Sequence, residues 1–197
     1  MDSIGSDHYR KYNIENCITF RKTNEKYGGL SNMAPGYPII INRIHFLTSE
    51  ALYQCCRFPH QPNIQKEIIQ QRSPMIAKQI SRSNTHLTRP DWNQERINIM
   101  RWCLYVKLIC NWGNFGRLLD STENYYIVED SYKDDFWGAV RHGDHYVGVN
   151  ALGRLLMQVR EKYRNIQRGT LVSLPPPNIP HFIIMEKRVD NLFIQLN

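Results

Sequence analysis

Apolar positions recur along this chain at two spacings, and the spacing predicts the elements. Cys17-Ile-Thr-Phe20 alternates as a short strand, as does Tyr126-Ile-Val-Glu129. Pro38-Ile-Ile-Ile41 and Ile44-His-Phe-Leu47 flank Asn42-Arg43 as a hairpin, with arginine where glycine is usual. The chain then enters a helix over Thr48–Phe58. Thr48 or Ser49 can cap it, and Glu50 sits in the first turn, where the helix dipole favours negative charge. On a 3.6-residue period Glu50, Tyr53, Gln54 and Arg57 share one face, while Leu52, Cys55 and Cys56 turn toward a core. Ile64, Ile68 and Ile69 mark a short helix. Ser73-Pro74 starts another, with Ile76, Ala77 and Ile80 inward and Lys78, Gln79 and Arg82 on its polar side.

Arg89-Pro-Asp-Trp92 is a boundary: proline disfavours helix before it, Asp91 can cap, and Gln94 completes a capping-box spacing. A long helix is predicted from there to about Cys110, with Ile99, Met100, Cys103, Leu104 and Val106 apolar and Trp92 exposed at its mouth. Gly148-Val-Asn150 precedes a helix with Leu152, Leu155, Leu156, Val159 and Tyr163 on one stripe and Arg154, Arg160, Glu161 and Arg164 on the other face. Leu174-Pro-Pro-Pro-Asn-Ile-Pro180 is a polyproline-like connector, and His181–Met185 follows as an edge strand. The expected fold is a single, mostly helical α+β domain. A small antiparallel sheet would come from the segments near Cys17, Ile39, Phe46 and Ile127. Residues 1–16 read as a polar segment, 17–165 as the main domain and 166–197 as a proline-containing strap.

Composition narrows the classes. With 197 residues, 42% of them hydrophobic, the chain can bury a real core. It has no apolar run of membrane-spanning length, and its first seven residues lack signal-peptide features, so a soluble, cytoplasmic protein with no membrane partner is expected. Five cysteines without C-x-x-C spacing read as reduced, mostly buried thiols, and neither a metal site nor a cofactor is expected. A net charge of +7 favours a polyanionic partner, nucleic acid or a phosphorylated metabolite.

Three stretches carry candidate chemistry, each with a structural reading beside it. Tyr27-Gly-Gly-Leu-Ser-Asn-Met33 would let the backbone approach a ligand, or make a tight turn, and it lacks the lysine of a P-loop. Glu50 is either a reactive carboxylate or a good helix residue paired with Arg57 or another cation. Trp92 can stack on a ring or pack on the preceding loop.

The motifs YGGLSNM, TSEALYQ, SPMIAK, RPDW, VEDSYKDDFWG and GVNALGRLLMQVR, in that order, resemble the NADAR (YbiA-like) family of N-glycosidases and ADP-ribose-related enzymes. The resemblance spans roughly residues 17–160. It implies cleavage of an N-glycosidic bond at a ribose, on either of two substrates. One is ADP-ribose linked to guanine in DNA, with the protein as antitoxin to a DarT-type toxin. The other is a phosphorylated intermediate of riboflavin synthesis. Motif by motif it places the functional glutamate on Glu50, the tryptophan on Trp92 and the aspartate on Asp134. A sugar cation forms as the bond to nitrogen breaks, so one carboxylate to stabilise it and another to handle protons fit that chemistry.

The candidate substrate-binding set around these three is Tyr27, Gly29, Ser31, Asn32, Tyr53, Gln54, Arg57, Lys78, Arg96, Lys107, Trp137 and Asn150. Lys78, Arg96 and Lys107 are its phosphate-neutralising members. Arg160, Lys162, Arg164 and Arg168 form the expected nucleic-acid face, which favours ADP-ribosylated DNA, or a guanine nucleotide, as partner. Arg57 stands where the family carries lysine, so a lysine-imine route would need Lys78 or Lys107 instead. A non-catalytic ADP-ribose or nucleic-acid binding module is the reading from another class. It would need neither Glu50 nor Asp134.

Overall fold

The computed structural model of the chain describes residues 8–167 and 169–196. In chain order its elements are β1 (Arg10–Asn13), β2 (Cys17–Phe20), β3 (Ile39–Ile41), β4 (Ile44–Phe46), α1 (Ser49–Cys56), α2 (Pro62–Ile69), α3 (Pro74–Ser83), α4 (Trp92–Cys110), α5 (Trp112–Asp120), β5 (Tyr126–Glu129), β6 (Val140–His142), β7 (His145–Gly148), α6 (Ala151–Asn165), β8 (Leu171–Leu174), β9 (Ile183–Ile184), β10 (Lys187–Arg188) and β11 (Leu192–Gln195). This is the expected α+β class, helices with small sheets. The chain divides into two compact units. One holds the described residues up to Ser31 with 113–166, and the other holds 32–112 with the described residues from Gln167 on.

In the first unit β1, inside the stretch read as a polar segment, pairs antiparallel with β7, which pairs with β6. Tyr12, Val128, Ala139 and Tyr146 pack as its core. The segments at Cys17 and Ile127 do not join the hairpin at Ile39 and Phe46 in one antiparallel sheet. Instead β2 and β5 pair with each other in parallel, Ile18 opposite Ile127. A parallel pair needs a long crossover, and here more than a hundred residues intervene. α6 lies against β5 so closely that a Cβ on Gly153 would fall 2.1 Å from the Ile127 carbonyl oxygen. Glycine there permits the approach.

In the second unit β3 and β4 form the predicted hairpin. Asn42 (φ 49°) and Arg43 (φ 65°) both take the left-handed conformation that a tight two-residue turn demands. Thr48 caps α1, its Oγ1 accepting the Ala51 N–H at 3.3 Å. Prolines open α2 and α3 at their first turn. On α3 Ala77 is buried as predicted, but Ile76 faces outward beside Met75, and Ser81 lies inside instead. α1 is buried on every side rather than on one wall, so its polar residues lie in the interior. The segment after Pro180 forms a short hairpin, β9 with β10, turning at Met185 (φ 49°) and Glu186 (φ 64°). β8 pairs antiparallel with β11. No helix among the described residues is long and apolar enough to cross a membrane.

Candidate functional site

Two backbone decisions place Glu50. The cap at Thr48 starts α1, and the Asn32 carbonyl accepts both the Glu50 N–H (2.9 Å) and the Ser49 hydroxyl (3.0 Å), tying the helix start to the YGGLSNM loop. The Glu50 side chain is only 4% exposed. Its Oε1 accepts from Gln54 Nε2 at 2.8 Å, one helical turn on, and its Oε2 accepts from Asn32 Nδ2 at 3.2 Å. The expected alternative of an ion pair with Arg57 is corrected. The Arg57 guanidinium donates to Thr88 Oγ1 (2.8 Å) and Ser81 Oγ (3.4 Å).

The amide cradle leaves two buried acceptors, Asn32 Oδ1 and Gln54 Oε1, without a hydrogen-bond partner. Such atoms cost about 1–3 kcal/mol each when buried and unmet. Side by side with a carboxylate, they suit a ligand rich in hydroxyl donors, as a sugar is.

An aromatic and cationic wall adjoins the cradle. Trp92 is half-buried rather than exposed, its ring 5.0 Å from that of Tyr53 and tilted 47° to it. The Arg57 guanidinium lies 5.3 Å from the centre of the Trp92 ring. Burial, then the nearby Glu50 charge, pushes the Tyr53 phenol well above its ordinary pKa, while Arg96 and Arg57 pull it back. Desolvation lowers the pKa of Arg57 itself. Asp91, expected to cap α4, makes no such bond. Its carboxylate pairs with Arg89, which holds it below the usual range.

Site positions along α4 recur every three or four residues: Trp92, Arg96, Met100, Cys103, Lys107. Met100 Sδ receives a second bond from Asn32 Nδ2 at 3.3 Å, and burial raises the Cys103 thiol pKa. Lys107, expected to meet a phosphate, is fully buried with its Nζ 4.6 Å from the Tyr37 ring centre. It offers a ligand no surface, and burial lowers its pKa from 10.5 to about 7. Lys78 is half-buried on α3.

The remaining candidates belong to the first unit. Asp134 is exposed, and its Oδ1 accepts the N–H groups of Phe136 (3.1 Å) and Trp137 (2.8 Å), setting the turn that carries both rings. The Trp137 carbonyl in turn accepts the Leu152 N–H at 3.0 Å, at the start of α6. Asn150 ties α6 to β5: its Nδ2 donates to the Ile127 carbonyl (2.8 Å) and its Oδ1 accepts the Glu129 N–H (3.2 Å). Tyr27 and Gly29 are half-buried, and the Ser31 N–H closes a turn onto the Gly28 carbonyl at 3.0 Å. Gly28 keeps negative φ. A Cβ there would strike the Thr23 backbone at 2.4 Å, so this glycine serves the loop's own packing.

Two arginines of the expected basic face are bonded within the chain. Arg160 is buried and donates to Thr122 Oγ1 (2.8 Å) and the Tyr125 carbonyl (2.9 Å). Arg164 is bound to Asp120 (2.7 Å) and Asn124 (3.1 Å). Lys162 is exposed, and Arg168 lies outside the described residues.

A buried carboxylate with free acceptor oxygens, walled by indole, phenol and guanidinium, is equipment for a reaction that builds positive charge on a sugar. Comparison with known proteins gives the family. The NADAR domain model matches residues 19–164. The N-glycosidase YbiA of Escherichia coli is 32% identical over 75% of this chain and 89% of its own length, and an N-glycosidase of Nostoc punctiforme is 32% identical over 76% and 94%. A maize chloroplastic riboflavin biosynthesis protein, PYRR, is 34% identical over 75% of this chain but only 25% of its own. The NMR structure of the Escherichia coli YbiA protein superposes with a TM-score of 0.65 over 76% of this chain and 85% of that one. The chain belongs to the NADAR domain family, and the relatives it matches over most of their length are named N-glycosidases.

Proposed function

We propose that the chain hydrolyses the bond between C1 of a ribose and a nitrogen, and that its substrate is a small phosphorylated ribosyl amine of the kind met in riboflavin synthesis. The observation that carries the reading is the buried Glu50 carboxylate in its amide cradle, with Asn32 Oδ1 and Gln54 Oε1 free to accept from ribose hydroxyls. As the bond breaks, its electron pair leaves with the nitrogen and positive charge spreads over C1 and the ring oxygen. Glu50 stabilises that charge. Water adds to C1, and the proton it loses balances the one the nitrogen gains. Arg57, pinned by Thr88 and Ser81, is a fixed cation for a phosphate oxygen. Asp134 is carried as a second carboxylate on the family resemblance alone. Its Oδ1 sets its own turn.

ADP-ribose on guanine in DNA is the second reading, with a DarT-type toxin as the antagonist. The net charge of +7 favours it. The internal use of Arg160 and Arg164 weighs against it, because two of the cations meant for phosphates are already spent. Incubating the full chain with riboflavin-pathway ribosyl phosphates and, separately, with ADP-ribosylated oligonucleotides tests both, with released base read by mass spectrometry. Release from the small substrate is the expected result. Release from DNA alone would install the second reading, and release from neither would refute both.

A further inference from the structure

The family match ends at residue 164, yet the segment that follows is bonded to the residues that position Arg57 and Trp92. Arg89 is the junction. Its side chain is almost wholly buried, and its Nε and Nη2 hold the two oxygens of Asp91 at 2.5 and 2.8 Å. Nη2 also donates to the Pro180 carbonyl at 2.7 Å. Through the backbone the same residue reaches the site on both sides: its N–H donates to the Arg57 carbonyl (3.0 Å), and its carbonyl accepts the Trp92 N–H (3.2 Å). Thr88, beside it, binds the Arg57 guanidinium.

Past Pro180 the segment is pinned again. Phe182 meets Trp102 of α4 edge to face at 4.9 Å. Gln65 Nε2 donates to the carbonyls of Ile183 and of Cys55 in α1, both at 3.1 Å, while Gln65 Oε1 accepts the Met185 N–H at 2.7 Å. Thus the tail is fastened to the helix bearing Glu50 and to the helix opened by Trp92.

Stability alone is a poor account of Arg89. Its Nη1 is buried without a partner, and a buried guanidinium with an unmet N–H costs more than an apolar filler of its size. What the arginine supplies is a fork that holds a carboxylate and a carbonyl at once, which lysine cannot reproduce.

We propose that residues 180–185 are a positioning clamp for the proposed glycosidase site, acting through Arg89 to set the Arg57 and Trp92 pair that orients the substrate. The inference rests on the reading of that site, and Arg89 and the tail are positioning rather than catalytic residues.

Two measurements on the full chain test it. In steady-state cleavage, Arg89→Lys should raise KM about tenfold with kcat within about threefold, since misplacement of an orienting group weakens binding before chemistry. In a Trp92→Ala background the same change should have a clearly smaller effect than in the wild type, because one of the two groups it positions is gone and only Arg57 remains to be misplaced. Phe182→Leu, which loosens the tail and leaves Arg89 intact, should shift KM the same way by a smaller factor.

Hydrogen exchange is the second readout and needs no turnover. The Arg89 and Trp92 amides should exchange about tenfold faster in Arg89→Lys and in Phe182→Leu at an unchanged unfolding midpoint. Additive effects in the double variant, a parallel fall in kcat, or unchanged exchange at 89 and 92 would overturn the clamp. A wild-type chain that cleaves neither substrate would instead overturn the functional reading, and exchange would still decide the clamp.

Discussion

Replacing Lys107 by methionine should stabilise the protein in a pH-dependent way. Burial lowers the pKa of this ammonium from 10.5 to about 7. At about 1.4 kcal/mol per tenfold in proton affinity, housing the charged form costs at most about 5 kcal/mol. The Tyr37 ring 4.6 Å away returns about 0.5–2 kcal/mol of that and the lysine's other contacts return more, so the net gain at low pH is at most about 3–4.5 kcal/mol. The sign follows from proton counting. Below about pH 7 the lysine is protonated folded and unfolded, so its cost is full and flat. Between about 7 and 10.5 the unfolded chain keeps the proton that the folded chain has shed, so wild-type stability rises with pH through that window. Methionine titrates nowhere, so the advantage of Lys107→Met should be largest near pH 6 and should narrow steadily toward pH 10. Urea unfolding followed by circular dichroism at pH 6, 7.5 and 9 measures both curves. Buried thiols such as Cys103, whose pKa is raised, slope the other way but do so in both proteins. A gap that stays constant from pH 6 to 9, or widens, would refute the depressed ammonium.

Other sites give sharper contrasts. Glu50→Gln should cut turnover about 100- to 10,000-fold while costing under about 1 kcal/mol, because a flip of the Asn32 or Gln54 amide can pair with the new side chain. Near-wild-type turnover in that folded variant would remove Glu50 from the chemistry. Arg160→Met should lower stability by about 1–3 kcal/mol, since the Tyr125 carbonyl loses its donor, and should leave affinity for DNA per folded molecule unchanged. Weaker DNA binding at full stability would restore Arg160 as a phosphate contact. Thr48→Ala should cost about 1 kcal/mol as a lost helix cap, read from the urea midpoint, and a midpoint equal to wild type would deny the cap its role.

Glu50 and its neighbours were legible because local signals agree: a cap, a first-turn carboxylate and a glutamine one turn later are fixed by helical period alone. Asn32 was legible only as part of a loop motif, since its bond to Glu50 closes across eighteen residues. α5 escaped notice because Asn111-Trp-Gly-Asn-Phe-Gly116 carries the residues of a turn, although Phe115, Gly116 and Leu119 are buried on one helical face. The Met185-Glu186 turn also gave no sign. Neither residue favours positive φ, and pairing of β9 with β10 imposes it. The internal bonding of the α6 arginines was not legible for a physical reason. A pattern of charge on one helical face cannot distinguish a guanidinium facing water from one whose long stem reaches a buried carbonyl, as Arg160 does.

Arginine at position 57 bears on the mechanism as well as on binding. An imine route needs an amine that is both neutral and accessible to the sugar's carbon. Arg57 cannot supply it, being a guanidinium rather than an amine. Lys107 meets the first condition, since burial brings its pKa to about 7, but fails the second, having no exposed surface. Cys103 is buried as well, and its raised pKa denies it the thiolate a covalent route would require. Glu50 differs from them in being a carboxylate that keeps slight exposure, 4%, where Lys107 and Cys103 have none. Under the proposed function these constraints favour attack by water on a sugar cation beside Glu50 over a covalent imine, with Arg57 and Trp92 assigned to orienting the sugar.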